Sequence, residues 1–145
     1  RKSMDNKLPT KTITMENIEE IYEYIFAPYV KQLKLSFLEI EEGRVLSKLK
    51  NSTDYQFVTG AVSGQVLMSV IDTTMSIAMN TSVKSQRGTL SQNNNFIRPA
   101  FGDYFIIESI VQRFGKSIAI GETKVYSEDN KEKIICHSTS TFPLK

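Results

Sequence analysis

The sequence predicts an α+β domain in which an antiparallel sheet curls around one buried helix, and three observations lead there. Between Val62 and Met79, Val66, Leu67, Met68, Val70, Ile71, Thr74, Met75, Ile77 and Ala78 cover most of a helical surface, and a helix apolar nearly all round belongs inside a protein. Behind it, Tyr104 to Gln112, Ser117 to Tyr126 and Lys133 to Phe142 are rich in Ile, Val, Thr, Phe or Tyr and read as consecutive long strands. Their separators, Phe114-Gly115-Lys116 and Ser127-Glu128-Asp129-Asn130, are turn-like and short enough to make neighbours antiparallel.

The elements follow in chain order. The segment up to about Thr12 is polar and without period, and it reads as a flexible lead-in. From Glu16 the pattern becomes helical: Ile18, Ile21, Tyr22, Ile25 and Phe26 form one stripe, Glu19, Glu20 and Glu23 the other, and Pro28 ends the run. The stripe is core packing and the acidic face is solvated. Leu33, Leu35, Phe37, Leu38 and Ile40 then lead to Glu42-Gly43, after which Val45, Leu46 and Leu49 resume, as expected of a hairpin turning at the glycine. Thr89 to Ile97 is a further, largely polar strand stopped by Pro99.

The central helix carries a narrow polar seam. At about 3.6 residues per turn, Gln65, Ser69, Asp72, Ser76 and Asn80 fall on one line, with the helix's only charge in the middle. Two readings stand: a solvated edge bearing an ordinary carboxylate, or an enclosed Asp72 that needs donors or a functional reason, because burying an unpaired carboxylate is costly.

Composition sets the outer limits. A chain of 145 residues, 40% hydrophobic and 23% charged, has the size and balance of a single domain spanning 1–145. A net charge of +2, with Lys and Arg scattered among acids, argues against a nucleic-acid partner. Cys136 is the only cysteine, so no internal disulfide forms and a reducing cytoplasm is expected. Ser69 and Asp72 interrupt the longest apolar stretch, and no charged leader precedes a short apolar core, so no membrane partner is expected. His137 beside Cys136 makes no metal site, since adjacent strand residues point to opposite faces, and it reads as a strand surface residue. Ser63 lies outside any Gly-x-Ser-x-Gly elbow and reads as a helix N-cap.

The run from Gly60 through Ser63-Gly64-Gln65 and Asp72 to Ala78, followed by Asn95-Phe96-Ile97-Arg98-Pro99-Ala100 and by Arg113-Phe114-Gly115-Lys116, resembles the hotdog-fold thioesterases of the phenylacetate-pathway and related acyl-CoA type. The likeness spans roughly Leu35 to Phe142. It implies a long central helix wrapped by a curved antiparallel sheet of five or six strands, and a homodimer joined edge to edge with a site at each end of the interface, often paired again into a tetramer. It implies an acyl-CoA or acyl carrier protein thioester as substrate, coenzyme A entering as part of that substrate with no separate cofactor and no metal.

The resemblance also assigns roles. Asp72 matches the acidic residue that serves as general base toward water or as nucleophile. Gly64 matches the glycine whose backbone N–H polarises the thioester carbonyl at the helix N-terminus. Thr89 matches a hydroxyl residue that positions water from the facing strand. Ser63 and Gln65 stand where many relatives have His and Gly, and Phe57 stands where some have an amide, with Gln56 adjacent; all three are expected near the substrate. These departures keep a second reading open, a module that binds acyl thioesters without turnover. Arg98, Arg113 and Lys116 are candidates for the coenzyme A phosphates, against the ordinary reading of solvated basic residues at strand ends and turns.

Overall fold

The computed structural model describes residues 12–84 and 86–145; apart from Thr12, the expected lead-in lies outside them. Helix α1 (Ile18–Ile25) buries Ile18, Ile21 and Tyr22 against the core and leaves its glutamates outside; of the rest of the predicted stripe, Phe26 is partly buried and Ile25, in the helix's last turn, is exposed. Asn17 closes its approach: Oδ1 accepts from Thr14 N at 2.8 Å and Nδ2 donates to the Thr12 carbonyl at 3.0 Å.

Pro28 ends α1, but the chain does not pass straight into a strand as the sequence reading has it. Pro28 opens a second short helix, α2 (Pro28–Gln32). Proline at the first helical position gives up an N–H that would have no partner there and brings a helix-ready φ. Lys34, at φ 52°, then turns the chain into the sheet.

Strands β1 (Ser36–Glu41) and β2 (Arg44–Lys50) form the expected hairpin, with Gly43 at φ 75° in the turn. A single 3-10 turn at Thr53–Tyr55, not foreseen, precedes the long helix α3 (Gly64–Met79). There follow β3 (Ser91–Phe96), β4 (Tyr104–Phe114), β5 (Ile118–Ser127) and β6 (Ile134–Pro143), each within a few residues of its predicted bounds. Thr89 falls just ahead of β3 instead of inside it.

All pairings are antiparallel, and the six strands are ordered β1-β2-β4-β5-β6-β3. The inward residues alternate along each strand: Val45 and Leu49, Phe105 and Ile107, Ala119 and Val125, Cys136 and Phe142 are all buried beneath α3. Burial of a Val, Leu, Ile or Phe side chain stabilises by about 1.5–3 kcal/mol. Gly121 is the point of closest approach, since a Cβ there would overlap the buried Met75 thioether. A second tie holds the helix's far end, where Gly43 N donates to Thr81 Oγ1 at 2.6 Å. The result is a helix clamped along one side by a curved sheet, with its polar seam facing the edge where β3 lies. Among the described residues no helix is long and apolar enough to cross a membrane.

Candidate active site

The seam of α3 forms one wall of an open groove. Gln65 is exposed while Ser69, Asp72, Ser76 and Asn80 are half-buried, so the arrangement falls between the two sequence readings: the carboxylate is neither sealed in nor fully bathed. The groove encloses about 520 Å³ and is lined by Gln65, Met68, Ser69, Asp72, Thr89, Gln92 and Asn94. Across it, Thr89 Oγ1 donates to Asp72 Oδ1 at 2.5 Å. A hydroxyl bonded to an ionised carboxylate makes a short, charge-assisted contact, and this one holds a single oxygen of Asp72. Asp72 and Thr89, seventeen positions apart, are thus brought together within one chain.

The entrance to α3 has a different character. Ser63 is extended (φ −66°, ψ 148°) and its Oγ accepts from Val66 N at 3.3 Å, the geometry of an N-cap. Leu67 N closes the first helical bond to the Ser63 carbonyl at 3.2 Å. The N–H groups of Gly64 and Gln65 take no acceptor among the described residues. Two free donors at a helix N-terminus, backed by the helix dipole, form a place for negative charge. The Phe96 ring lies against Gly64, where a Cβ would stand 3.3 Å from Phe96 Cζ. Phe57 is half-exposed in the tight loop before the helix, its N–H bonded to the Ala61 carbonyl at 3.1 Å. The neighbouring amide is engaged: Gln56 Nε2 donates to Asn51 Oδ1 at 3.2 Å.

Gly64 and Asp72 do not meet within one chain. They are separated by two turns of α3, about 12 Å at the helical rise, too far to act on one carbonyl. Among the three basic candidates, Arg98 stands apart from Arg113 and Lys116. Arg98 follows β3 and its Nε donates to the Ile134 carbonyl at 3.0 Å. Arg113 and Lys116 are exposed at the β4–β5 turn, which Lys84 Nζ fastens beyond the other end of α3 through Gly115 O at 2.6 Å. None of the three lines the groove.

Some of the site was not foreseen. Gln92 and Asn94 line the groove from β3, and Gln92 Nε2 donates to Met68 O at 3.3 Å and to Asn94 Oδ1 at 3.0 Å. Their signal was the strand alternation itself, which puts Gln92, Asn94 and Phe96 on one face. Tyr29 of α2 reaches Ser69 Oγ with its phenol oxygen, 3.3 Å away; an element that sequence reading missed supplied it. His137 is partly exposed, as expected, but pairs with Glu122 at 2.8 Å. Burial pushes the Cys136 thiol up to about 11, which makes it an inert core residue.

Residues 59–134 match the family model of the thioesterase superfamily. A curated relative from Saccharolobus solfataricus, named "Putative esterase SSO2140", is 26% identical over 115 residues, covering 79% of this chain and 81% of the relative. The E. coli PaaI protein of the phenylacetic acid degradation operon superposes with a TM-score of 0.79 at 17% identity, over 90% of this chain and 91% of that one. A Streptococcus mutans protein solved with acetyl-CoA bound superposes with a TM-score of 0.70 at 14% identity, over 77% of this chain and 88% of that one. At these identities the structural likeness is one of fold, and the fold is the hotdog architecture that the sequence resemblance implied.

Proposed function

The chain belongs to the thioesterase superfamily and is a thioester hydrolase, and on that premise we propose that it hydrolyses an acyl-CoA with Asp72 as general base. The observation that carries the reading is the Thr89–Asp72 hydrogen bond in the groove. Thr89 occupies one carboxylate oxygen and leaves the other for a water. That water attacks the thioester carbonyl carbon while Asp72 takes its proton. The tetrahedral oxyanion is held by the Gly64 backbone N–H at a helix N-terminus. The carbon–sulfur bond then breaks, and the departing thiolate takes the proton back from Asp72, giving the free acid and coenzyme A thiol. Coenzyme A is substrate here, as acetyl-CoA bound to the Streptococcus mutans protein suggests.

The separation of Gly64 from Asp72 supports a site assembled from two copies of the chain, each giving one part. Two further observations point the same way. Strand β3 is an edge strand, paired with β6 on one side only, and an open edge is a template for another chain. Around the start of α3, the large apolar side chains Phe57, Val58, Phe96, Ile97 and Phe101 are exposed, the kind of surface that another protein surface covers. A homodimer joined along β3 covers both, and light scattering coupled to chromatography checks it.

The test is release of coenzyme A thiol from short, medium, long and aryl acyl-CoAs, comparing the native chain with Asp72→Asn. Loss of a general base costs about 10²–10⁴-fold in kcat, and that loss is expected on every thioester the native chain cleaves. An Asn variant that keeps its rate, or a native chain that binds acyl-CoAs without cleaving them, refutes the assignment. Single turnover in ¹⁸O-water separates base from nucleophile: with Asp72 as base the first acid product carries one ¹⁸O, whereas attack by Asp72 followed by hydrolysis at the Asp72 carbonyl gives unlabelled acid and leaves the label in Asp72.

A further inference from the structure

We infer that Gln92 is a further catalytic residue: its Oε1 accepts the second proton of the water that Asp72 activates, and so aims that water at the thioester carbonyl. The inference rests on the general-base reading and adds a residue to it.

A water bonded to a carboxylate through one proton is free to turn about that bond. Attack needs its lone pair on the carbonyl carbon, and misalignment at this step is costly in rate. A second acceptor, for the other proton, removes the freedom. Thr89 already holds Asp72 Oδ1, so the water sits at Oδ2 and the second acceptor comes from the groove lining.

Most of that lining is spent or too far away. Gln65 lies two turns of α3 from Asp72, about 10 Å at the helical rise. Ser69 gives its proton to the Gln65 carbonyl at 2.9 Å, and its oxygen is engaged by the Tyr29 phenol at 3.3 Å. Asn94 Oδ1 accepts from Gln92 Nε2 at 3.0 Å. Gln92 Oε1 has no partner among the described residues.

Its placement follows from the bonds of the nitrogen beside it. Gln92 Nε2 also donates to Met68 O at 3.3 Å, and a backbone carbonyl can only accept, which fixes the nitrogen end of the amide and leaves the oxygen as the free one. Met68 O is the carbonyl that takes the Asp72 N–H in the i→i−4 ladder of α3, so the Gln92 amide stands against the turn that carries Asp72. Strand β3 runs opposite to α3, from Thr89 at Asp72 to Phe96 at Gly64. The amide nitrogen is turned toward Asn94, at the Gly64 end, and the oxygen is thereby left on the side of Thr89 and Asp72. Both protons of the water then have a destination. The one toward Asp72 Oδ2 is transferred as the carbon–oxygen bond forms; the one toward Gln92 stays on the oxygen and becomes the hydroxyl proton of the tetrahedral intermediate.

The experiment measures kcat and KM of Gln92→Met, close to glutamine in length but without its carbonyl, on the acyl-CoA that the native chain cleaves fastest, alone and combined with Asp72→Asn. Alone, the change should lower kcat about five- to tenfold, the worth of one neutral hydrogen bond, and leave KM and the melting temperature in place. With Asp72→Asn no base takes the first proton, and the same change should cost about twofold or less. Asn94→Ala, which releases the amide to turn over, should lower kcat in the same direction by less. An unchanged kcat in either Gln92→Met or Asn94→Ala, as when Thr89 takes the second proton, overturns the inference. So does a rise in KM in place of the fall in kcat, or a full further loss on top of Asp72→Asn, as when Gln92 merely spaces β3 from α3. Failure of the general-base reading shows differently, as an Asp72→Asn variant that keeps its rate or a native chain that cleaves no acyl-CoA, and takes this inference with it.

Discussion

Helix α3 has two sides that share a backbone and little else. On the sheet side, Ile71, Met75 and Ile77 are fully buried, the Thr74 hydroxyl bonds both to Ser47 and to the Val70 carbonyl, and Met75 fills the space above Gly121. On the groove side, Asp72 touches Thr89, and the seam around it stays half-open. On the sheet side the helix's own hydroxyls are committed; the groove side keeps hydrogen-bonding capacity in reserve. The contrast separates what anchors the helix from what is left to act on a substrate, and it predicts that substitutions on the two sides will differ in kind. Sheet-side changes should move stability. Groove-side changes should move turnover.

Gly121→Val should show the largest effect on stability. The added side chain meets buried Met75, and overpacking of this sort costs about 1–3 kcal/mol; chemical denaturation reads the loss, and an unchanged midpoint would mean the clamp is softer than drawn. Thr89→Val tests the other side. The residue is exposed, so the melting temperature should hold while kcat falls by roughly tenfold, about 1.4 kcal/mol in the transition state. A stability loss with unchanged kcat would reverse the assignment of sides. The smallest effect is expected at the boundary between them: Ser63→Ala removes the N-cap and should cost about 1 kcal/mol of stability with little change in KM, as chemical denaturation and steady-state kinetics on the same variant check.

Much of this was legible in the chain. The all-round apolar pattern from Val66 to Ala78 and the three β-rich runs after it announced the helix and its sheet, because burial on most sides leaves a periodic trace. The seam put Asp72 at its centre, and the family resemblance supplied Gly64 and Thr89. Other features left no such trace. Helix α2 was hidden because Pro28 can either end a helix or begin one, and Tyr29 went with it. Gln92 and Asn94 looked like ordinary polar residues of an edge strand; their place in the groove depends on how far the sheet curls around α3. The distance from Gly64 to Asp72 was implicit in the helical rise, and a site at the dimer interface, where Asp72 faces Gly64 of a second copy, was already what the resemblance implied. The basic residues Arg98, Arg113 and Lys116 carry no periodic signal that says where they end up, and within one chain they lie toward opposite ends of α3.

The central claim is that Asp72 of one copy works with the Gly64 N–H of another, and subunit complementation tests it most directly. Gly64→Pro removes the N–H at a position where proline suits a helix, and Ser63 already has the extended backbone that a following proline requires. As homodimers, Asp72→Asn and Gly64→Pro should each be folded, by thermal melting, and each lose about 10²-fold or more in kcat. When the two are unfolded together and refolded as an equal mixture, half the dimers pair unlike chains and hold one intact site, so roughly a quarter of the native activity should return. Two folded but inactive variants whose mixture forms mixed dimers and stays inactive would contradict the shared site.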